Sequence, residues 1–554
     1  MASNIPLTSK SPHSQIPGLT GLRFVAAFAV LIAHSLDYIL QVPKNTFGWS
    51  YWVLQSANFG MVLFFVLSGF VIHYNYRVAV IQGGIRGIGG FVWARFARLY
   101  PLYIFILMLD LLLGSRLFQF MAGNVDAFSD EIRALPYYIT LTQSWRYVSF
   151  GDSTLFSAVG SPLSLSWSIS TEWFFYLAYP IIAFFVIRAR KPLTTTAALV
   201  IWSAIWALFV VMVARAEPRI DTWAVQRFGE IAGQAGQDGF YWWMMYISPY
   251  FRIGEFILGC LVSQLYIQLR EKSHSRRENR AAWLLLGTGL ATIPILTYIM
   301  YAPNVQLGHL GNIRSLSHNF GYAPSVALLI FCAARYDTLF SRVLNWKSFV
   351  SLGEASYSIY LIHFFVFVVV SSAASGALPL TFATTVFASA KYLYVIALVL
   401  LLSLGLHQFI EIPARRWLRG LWGEEPGIRR VFAYSLLASP ISVAVILAFV
   451  ASRVTAPIGR GLSVVSATYG GNCGAPFGNV TSPLRKSCDG KVYCDYAVKV
   501  ELLGDPAPGC EKNFAIEYEC AADNARFTKF IGGEAGLGSY INLTCKSHGR
   551  GGND

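Results

Sequence analysis

Long apolar stretches constrain this chain more than any other feature of its sequence. Crossing a bilayer takes about 20 residues of α-helix, and eleven stretches of about that length carry few charges. They are residues 21–40, 57–75, 99–115, 166–188, 194–214, 247–267, 283–301, 319–335, 355–373, 390–410 and 432–451. Only 13% of the residues are charged, about half the share in soluble domains. We therefore predict a polytopic all-α membrane bundle of about 11 transmembrane helices.

The distribution of basic residues predicts the orientation of this bundle. The net charge of +14 is scattered between the apolar stretches, which disfavours a nucleic-acid partner. If residues 1–20 form a cytoplasmic tail, the inside segments are richer in Lys and Arg than most outside ones, as the positive-inside rule requires. These segments contain Arg77–Arg98, Arg188–Lys191, Leu269–Arg280, Arg335–Lys347 and Ala414–Arg430. We expect a multi-pass protein of the inner (plasma) membrane whose last 100 or so residues are periplasmic or otherwise extracytoplasmic.

Cysteines separate the end of the chain from the rest. Cys260 and Cys332 lie alone in apolar stretches, whereas the other six fall near the C-terminus. An even number of cysteines in a short polar domain predicts a disulfide framework, with 15 pairings open. No C-x-x-C pair is present there, so we expect no metal site. The six are Cys473, Cys488, Cys494, Cys510, Cys520 and Cys545. Short apolar alternations such as Val492–Val500 predict a small β-containing domain over 455–554.

The first apolar stretch carries an arginine and a histidine. Arg23 and His34 are eleven positions apart, and on a helix eleven steps return to within about 20° of the same face, about 16 Å further along. Ionisable groups at such depth usually face a cavity, which makes the pair a functional-site hypothesis. The structural alternative is an arginine that reaches the headgroups and a histidine bonded to a neighbouring helix.

Small and basic residues mark the next two spans. Ser68 and Gly69 allow close approach of a helix or a thin ligand, helix packing being the structural reading. A glycine-rich basic segment, Gly83–Gly90, is predicted to be a loop that leads to Arg95 and Arg98. These two arginines share a helix face and suit a phosphorylated ligand from the cytoplasm as well as they suit lipid phosphates.

Later spans hold further polar residues. Ser168, Glu172 and Tyr176 step by four and share a face. Glu172 is expected near the depth of His34, where a carboxylate and an imidazole can form a base and its orienter. A structural ion pair between Glu172 and an arginine is the alternative.

Two more sets of intramembrane polar residues have mainly structural readings. Arg252 and Glu255 are three apart and can pair. Tyr360 and His363 share a face with Ser356, and we expect a helix-to-helix hydrogen bond from His363.

These segments together resemble the acyltransferase-3 family of integral membrane O-acyltransferases over roughly residues 15–415. The resemblance rests on motifs that occur in order at matching spans: Arg23-x10-His34, Phe64-Phe65-x-x-Ser68-Gly69, Arg95-x-x-Arg98, Trp167-Ser-Ile-Ser-Thr-Glu172-Trp173, Arg252-x-x-Glu255-Phe256 and Ser356-Tyr-Ser-Ile-Tyr-Leu-Ile-His363. It implies ten core helices that move an acyl group, usually acetyl, from cytoplasmic acyl-CoA to a hydroxyl of a sugar or lipid-linked glycan outside. The family's functional motifs correspond to Arg23, His34, Arg95 and Arg98.

The C-terminal residues resemble a different family, the rhamnose- or galactose-binding lectins of the sea-urchin-egg type. The matching stretches are Ala467-Thr-Tyr-Gly-Gly-Asn-Cys473, Cys488-Asp-Gly-Lys-Val-Tyr-Cys494, Leu503–Phe514 and Tyr518-Glu-Cys520. The cysteine placement near Cys510 departs from the usual lectins, and their early Glu is missing. With both resemblances, the expected domains are a cytoplasmic tail (1–20), a ten-helix acyltransferase membrane domain (21–415), an eleventh helix with its linker (416–454) and an extracytoplasmic disulfide-rich lectin-like domain (455–554).

The residues and the resemblance together give one expected mechanism. Acetyl-CoA, or another acyl-CoA, is the donor; its phosphates contact Arg95 and Arg98, and Arg23 and Ser68 belong to the same donor site. His34, oriented by Glu172, acts as general base on the acceptor hydroxyl, and a covalent acyl-His34 intermediate stays open. The acceptor is a surface polysaccharide, a lipid-linked glycan or a glycolipid.

Two rival functions use the same residues differently. In a proton-coupled exporter, His34 and Glu172 relay protons, although no internal repeat supports this reading. In a membrane-anchored glycan receptor, the outside domain does the work and the bundle only holds it.

Overall fold

The protein divides into two compact units, Met1–Ala444 and Val445–Asp554, in a computed structural model. The structure describes residues 16–38, 49–110, 127–150, 154–157, 162–234, 236–272, 276–301, 315–373, 382–424, 462–489, 493–520, 525–533 and 535–544. The predicted eleventh span, 432–451, lies outside these residues.

The described part of the first unit is mainly helical, with turns and one isolated β-bridge between Ser149 and Thr154. Its helices are α1 (Pro17–Tyr38), α2 (Trp49–Gln82), α3 (Gly84–Leu109), α4 (Ala127–Ile139), α5 (Trp167–Val186), α6 (Pro192–Arg215), α7 (Glu217–Phe228), α8 (Pro249–Leu269), α9 (Arg276–Tyr301), α10 (Ala323–Arg335), α11 (Leu339–Leu344), α12 (Lys347–Glu354), α13 (Ser356–Ala373), α14 (Phe382–Leu406) and α15 (Ile412–Glu424). Short helical turns connect them at Pro162–Ser166, Glu230–Gly233, Phe240–Trp242 and Ser315–His318, and π-helical turns lie at Trp243–Ile247 and His407–Glu411.

The apolar helices make this a multi-pass membrane protein, but the expected number of eleven spans is not confirmed. Seven helices of the described chain are long and apolar enough to cross a bilayer, or eight if α12 and α13, bent by 69°, form one broken span. Helix α10 is apolar but shorter. Helix α8 has 21 residues yet is not among the seven, because Arg252, Glu255 and Gln264 make it less apolar; all three are buried inside the protein.

Two glycines allow α2 and α8 to cross in backbone contact. A methyl group on Gly69 would lie 2.0 Å from the carbonyl oxygen of Phe256, and one on Gly259 would lie 2.0 Å from the carbonyl oxygen of Val66. Neither distance is possible for a real side chain, so both positions require glycine. The helix-packing reading of Ser68-Gly69 is therefore correct for Gly69.

The glycine-rich segment between the second and third spans is not the loop that we predicted. Gly83 is a one-residue break, with its N–H donating to the Ala79 carbonyl at 3.0 Å, and α3 begins at Gly84, whose φ is +54°. A methyl group on Gly87 would lie 2.0 Å from the Ala79 oxygen. The glycines thus permit a tight reversal between two helices, and α3 starts fifteen positions before the residue 99 that we predicted for the third span.

The second unit contains two small antiparallel sheets. Its strands are β1 (Leu462–Tyr469), β2 (Tyr493–Lys499), β3 (Phe514–Cys520), β4 (Ala525–Ile531) and β5 (Leu537–Thr544). They pair in the orders β1-β3-β4 and β2-β5, and α16 (Thr481–Cys488) contacts β1 and β2. Alternate residues of β3 are buried, as period-two patterning requires. The expected β-containing domain is confirmed.

Disulfides fasten the segments that connect these strands. Cys473 bonds Cys510, and Cys488 bonds Cys494. Cys520 is also disulfide-bonded, whereas Cys545 lies outside the described residues. Cys260 and Cys332 are free and buried in the helical unit. The predicted separation between disulfide cysteines and isolated cysteines is therefore confirmed.

Candidate active site

A cavity between α1, α2, α3, α5 and α13 collects half of the ten intramembrane site residues predicted from the sequence. The space in it that is not filled by atoms, including open solvent at its mouth, is about 630 Å³. Its lining includes Arg23, Ser68, Arg98, Glu172 and Tyr360, all of which we had singled out from the sequence. The rest of the lining is Met61, Phe64, Phe65, Leu67, Leu99, Ser168, Ile169, Ser356 and Tyr357. The cavity is thus an apolar pocket with a few converging polar groups, which is typical of small-molecule sites.

Glu172 supplies the carboxylate of this cavity. Its Oε1 accepts hydrogen bonds from the Ser68 hydroxyl, at 2.8 Å, and from the Tyr176 hydroxyl. Because Tyr176 lies one turn further along α5, the four-residue spacing seen in the sequence does place these groups on one face. We expected Glu172 to orient His34, but the structure pairs Glu172 with Ser68 and Tyr176.

Three arginines surround the same carboxylate. Arg23 lies close enough to Glu172, Arg95 and Arg98 to interact electrostatically with each. Arg95 is 5% exposed and donates from Nη2 to the Tyr76 hydroxyl at 2.5 Å. Its guanidinium also lies over the Tyr76 ring, 4.6 Å from the centroid. The structure therefore brings the Arg-x10-His arginine and both Arg-x-x-Arg arginines to one place, with Arg23 and Arg98 on the cavity wall.

His34 forms a histidine pair with His363. The Nδ1 of His34 and the Nε2 of His363 are 3.0 Å apart, and the ring planes are nearly parallel, with an angle of 6° between them. The Nδ1 of His363 lies 3.1 Å from the Ile359 carbonyl oxygen, which can only accept. Neutral His363 therefore carries its proton on Nδ1 and accepts from His34 through Nε2. This leaves the lone pair of neutral His34 on its Nε2, the atom that a general base needs. The helix-to-helix hydrogen bond expected for His363 is confirmed.

Tyr360 stands between the histidine pair and the cavity. It lines the cavity, and its ring centroid is 5.9 Å from that of His363. Its hydroxyl accepts from Ser168 and donates to the Leu165 carbonyl, both at 2.7 Å. His34 is half-buried and is not among the described residues that line the cavity. Tyr360 therefore links the cavity to His363, the hydrogen-bond partner of the predicted base.

Arg252 and Glu255 form the structural pair that we expected and do not line this cavity, although the Arg252 guanidinium lies 4.9 Å from the ring centroid of Phe65, which does. Both are 0% exposed, with Nη1 of Arg252 at 3.2 Å from Oε1 of Glu255. Arg252 also donates to the His318 carbonyl, and Glu255 accepts from the Phe320 N–H at 2.9 Å. Phe320 has a φ of +61°, a conformation that side-chain-bearing residues rarely adopt. The pair thus fastens α8 to the turn before α10.

Sequence reasoning missed the arginines of α15. We read Ala414–Arg430 as an inside loop, but Ile412–Glu424 is helical and packs along α3, with the Trp93 indole donating to the Leu418 carbonyl at 2.7 Å. Arg415 and Arg419 interact electrostatically with Arg95 and Arg98. The available signal was their spacing of four, which places both on one helix face.

A comparison with known protein families covers the cavity and the histidine pair but not α15. The protein-family profile described as "Acyltransferase domain" matches residues 16–407, which is most of the chain. The chain belongs to the acyltransferase-3 family. Every residue of the cavity lining and of the histidine pair falls within the part of the chain that matches this family.

Relatives of this chain include proteins named as O-acetyltransferases and as an acyltransferase. The chain is 24% identical over 413 residues to the O-acetyltransferase OatA of Staphylococcus aureus, covering 72% of this chain and 57% of OatA. It is 25% identical over 363 residues to the putative peptidoglycan O-acetyltransferase YrhL of Bacillus subtilis, covering 64% and 48%. It is 26% identical over 408 residues to the acyltransferase MdmB of Streptomyces mycarofaciens, covering 73% and 92%.

The match spans only about half the length of the first two of these relatives. No solved structure matches the chain.

Proposed function

We propose that this protein is a membrane O-acyltransferase that transfers an acyl group, acetyl first among them, from cytoplasmic acyl-CoA to a hydroxyl of a glycan on the outer side of the membrane. The observation that carries the proposal is the cavity that joins Arg23, Arg98, Ser68 and Glu172 beside the His34–His363 pair. The relatives named as O-acetyltransferases, one of them of peptidoglycan, support the acetyl group and the glycan acceptor.

The donor side of the site is basic. Guanidinium groups bind phosphates through two parallel hydrogen bonds and keep their charge when desolvated. Arg98 and Arg23 line the cavity, and Arg95 lies against them. These residues hold the phosphates of acyl-CoA at the inner end, while the apolar lining, Met61 and Leu67 among it, accepts the pantetheine arm and the acyl thioester.

The chemical step needs a base, which we assign to His34. Nε2 of His34 takes the proton from the acceptor hydroxyl as its oxygen attacks the thioester carbonyl carbon. The C–S bond then breaks, and the imidazolium returns the proton to the departing thiolate, giving the ester and free CoA. His363 is a positioning residue, because its hydrogen bond sets the tautomer of His34, with the proton on Nδ1 and the lone pair on Nε2. In the covalent variant, Nε2 attacks the carbonyl first and the acyl-imidazole passes its acyl group to the hydroxyl.

Orientation and compartment complete the proposal. With the N-terminus in the cytoplasm, the bundle lies in the inner (plasma) membrane and the disulfide-containing unit lies in the periplasm or outside the cell. Disulfides persist in such oxidising compartments, and the bonds Cys473–Cys510 and Cys488–Cys494 support this side of the membrane.

The second unit, in this proposal, is lectin-like and binds the acceptor glycan. Its supporting feature is a group of polar residues beside the Cys473–Cys510 bond, where Asn472 donates to the Glu511 carbonyl at 2.6 Å and Lys512 pairs with Asp505 at 3.0 Å. Retention of the full chain on immobilised galactose or rhamnose, released by the free sugar, tests it. Equal retention on an unmodified resin would refute sugar binding.

The decisive experiment uses purified full-length protein, radiolabelled acetyl-CoA and surface glycan as acceptor. The intact enzyme should transfer label, and His34→Ala should lower the transfer rate by about 10²–10⁴-fold, the usual contribution of a positioned base. Unchanged acetyl-CoA affinity and unfolding temperature in the variant are the controls. Near-normal transfer by His34→Ala would overturn the assignment, and vectorial movement of a glycan without label transfer would favour the exporter.

A further inference from the structure

The last described helix of the bundle carries a row of arginines. Arg415 and Arg419 are four positions apart and share a face of α15, whereas Arg416 is rotated by about 100° from Arg415. The Trp93–Leu418 hydrogen bond holds this helix against α3, the helix that contains the Arg-x-x-Arg motif.

The contacts of the two arginines differ from those of ordinary surface residues. Arg415 has a side chain that is 29% exposed and lies 3.9 Å from Glu411. Glu411 itself is occupied by His407, at 2.9 Å, and by Ser358, at 3.2 Å. Arg415 is therefore only loosely paired with a carboxylate that is already shared.

The electrostatic partners of Arg419 are two other arginines and one tyrosine. These partners are Tyr76, Arg95 and Arg98. Tyr76 is the hydroxyl that accepts from Arg95, so α15 and the Arg-x-x-Arg motif meet at this side chain. The Nε of Arg95 is buried and has no hydrogen-bond partner among the described atoms.

The charges around this point do not balance within the described chain. Five guanidinium groups interact with one another there, and the carboxylates among their electrostatic partners are Glu172 and Glu411. The five are Arg23, Arg95, Arg98, Arg415 and Arg419. Like charges that are partly removed from water repel one another strongly. A bound polyanion would relieve this repulsion and stabilise the arrangement.

We infer that Arg415 and Arg419 form, with Arg95 and Arg98, a phosphate-binding wall that extends the donor site beyond the cavity to the end of α15. This inference rests on the proposed function and deepens it. A ligand with several phosphates fits the wall, and the 3′-phosphorylated ADP portion of CoA is such a ligand. Phosphates of anionic lipids share this chemistry, and the experiment below distinguishes the two sources.

The experiment measures binding of acetyl-CoA to the full chain in neutral detergent by calorimetry. Arg415→Gln and Arg419→Gln should each weaken binding about tenfold, the effect of losing one charge-assisted contact. Arg416→Gln, on the neighbouring position but a different face, should bind as tightly as the unmodified protein. Arg419→Lys should retain most of the affinity because it keeps the charge. An unchanged unfolding temperature in each variant shows that the fold is intact.

Two further probes identify the phosphate source. Dephospho-CoA should be bound more weakly than CoA by the unmodified protein, and Arg419→Gln should reduce that difference. If Arg415→Gln and Arg419→Gln bind acetyl-CoA normally and lose only their binding to vesicles containing phosphatidylglycerol, the wall is a lipid anchor and the inference is overturned.

The inference and the proposed function fail differently. An unmodified protein that transfers acetyl groups while both glutamine variants keep normal affinity refutes the wall alone. An unmodified protein that neither binds nor uses acetyl-CoA refutes the proposed donor, and the wall with it.

Discussion

Two of the charge clusters in the described part of this bundle are built in opposite ways. Arg252 and Glu255 form one cluster, in which one cation meets one anion at 3.2 Å and both are fully buried. The other gathers Arg23, Arg95 and Arg98 near the carboxylate of Glu172. Neither residue of the first cluster lines the cavity, whereas Arg23, Arg98 and Glu172 of the second do.

The difference supports the proposal that the first cluster belongs to the fold and the second binds a ligand. The buried pair with matched charges, tied by Glu255 to the Phe320 N–H, joins two segments without surplus charge, although Nε and Nη2 of Arg252 and Oε2 of Glu255 have no hydrogen-bond partner among the described atoms. A buried group with surplus positive charge destabilises the empty protein, and a bound anion would relieve this repulsion. Charge balance therefore distinguishes the two clusters, whereas burial does not, since Arg95 and Arg252 are both buried.

Neutralising one half of the matched pair should have the largest effect on stability. Glu255→Gln leaves Arg252 buried without its counter-charge, which typically costs about 3–5 kcal/mol. We expect a marked fall in folded yield and in unfolding temperature, measured by size-exclusion chromatography and thermal unfolding in detergent.

The double variant Arg252→Met with Glu255→Gln is its control. It removes both charges and should recover part of the lost stability, since matched pairs can often be replaced by uncharged residues. If the double variant were less stable than Glu255→Gln, the pair would not be the balanced structural contact described here.

Neutralising one arginine of the surplus cluster should affect binding instead. Arg98→Gln removes one charge-assisted contact, worth about 1.5–3 kcal/mol, and should weaken acetyl-CoA binding by about ten- to a hundredfold. Stability should be unchanged or slightly higher, because repulsion from Arg23 and Arg95 is relieved.

Arg188→Gln is a matched control for this change. Arg188 is exposed and lies over the Phe184 ring, 4.4 Å from its centroid, so its loss should leave donor affinity unchanged. A destabilised Arg98→Gln with normal affinity would erase the distinction between the two clusters.

An ion pair between buried Lys512 and exposed Asp505 in the second unit supplies the smallest expected effect. The Lys512 ammonium donates to Asp505 and holds the pKa of this carboxyl below its ordinary value of 3.8. A lowered carboxyl pKa means that the stabilisation is present at neutral pH and is lost as the pH falls through the lowered value, below about 3.8.

The Asp505 carboxylate also accepts from the Ala507 N–H at 3.1 Å, which provides a local measurement. In hydrogen exchange of the full chain, Asp505→Asn should show slightly faster exchange at Ala507 than the unmodified protein at pH 7. The difference should close only below pH 3.8. A difference that disappears between pH 6 and 5 would point to another titrating group.

The helical class and much of the cavity were predictable from sequence because their signals are local. Apolar length predicted most of the described spans, and the eleven-residue step from Arg23 to His34 and the three-residue step from Arg95 to Arg98 identified charged helix faces. Cysteine number predicted the disulfide unit. Each of these inferences needs only the geometry of one segment.

The partners of those residues were not predictable, because they come from distant segments. His34 and His363 are 329 positions apart, and nothing in the sequence favoured this pairing over one between His34 and Glu172. Gly83–Gly90 was misread as a loop because glycine usually signals one, whereas here it permits two helices to meet. We assigned Arg415 and Arg419 to a loop because the apolar residues that identify α14 end before them, whereas the chain continues as helix α15.

The backbone crossing at Gly69 and Gly259 has a consequence for mutational screens of this family member. Ser68, the residue that bonds Glu172, is adjacent to Gly69, so any side chain placed at the crossing would force α2 away and carry the Ser68 hydroxyl with it. An inactive Gly259 variant would then resemble one that has lost a reactive group, although Gly259 itself does not contact the substrate. Loss of activity from substitutions at these two glycines should be attributed to displaced helices. The distance between the Ser68 hydroxyl and the Glu172 carboxylate is the measurement that shows the displacement.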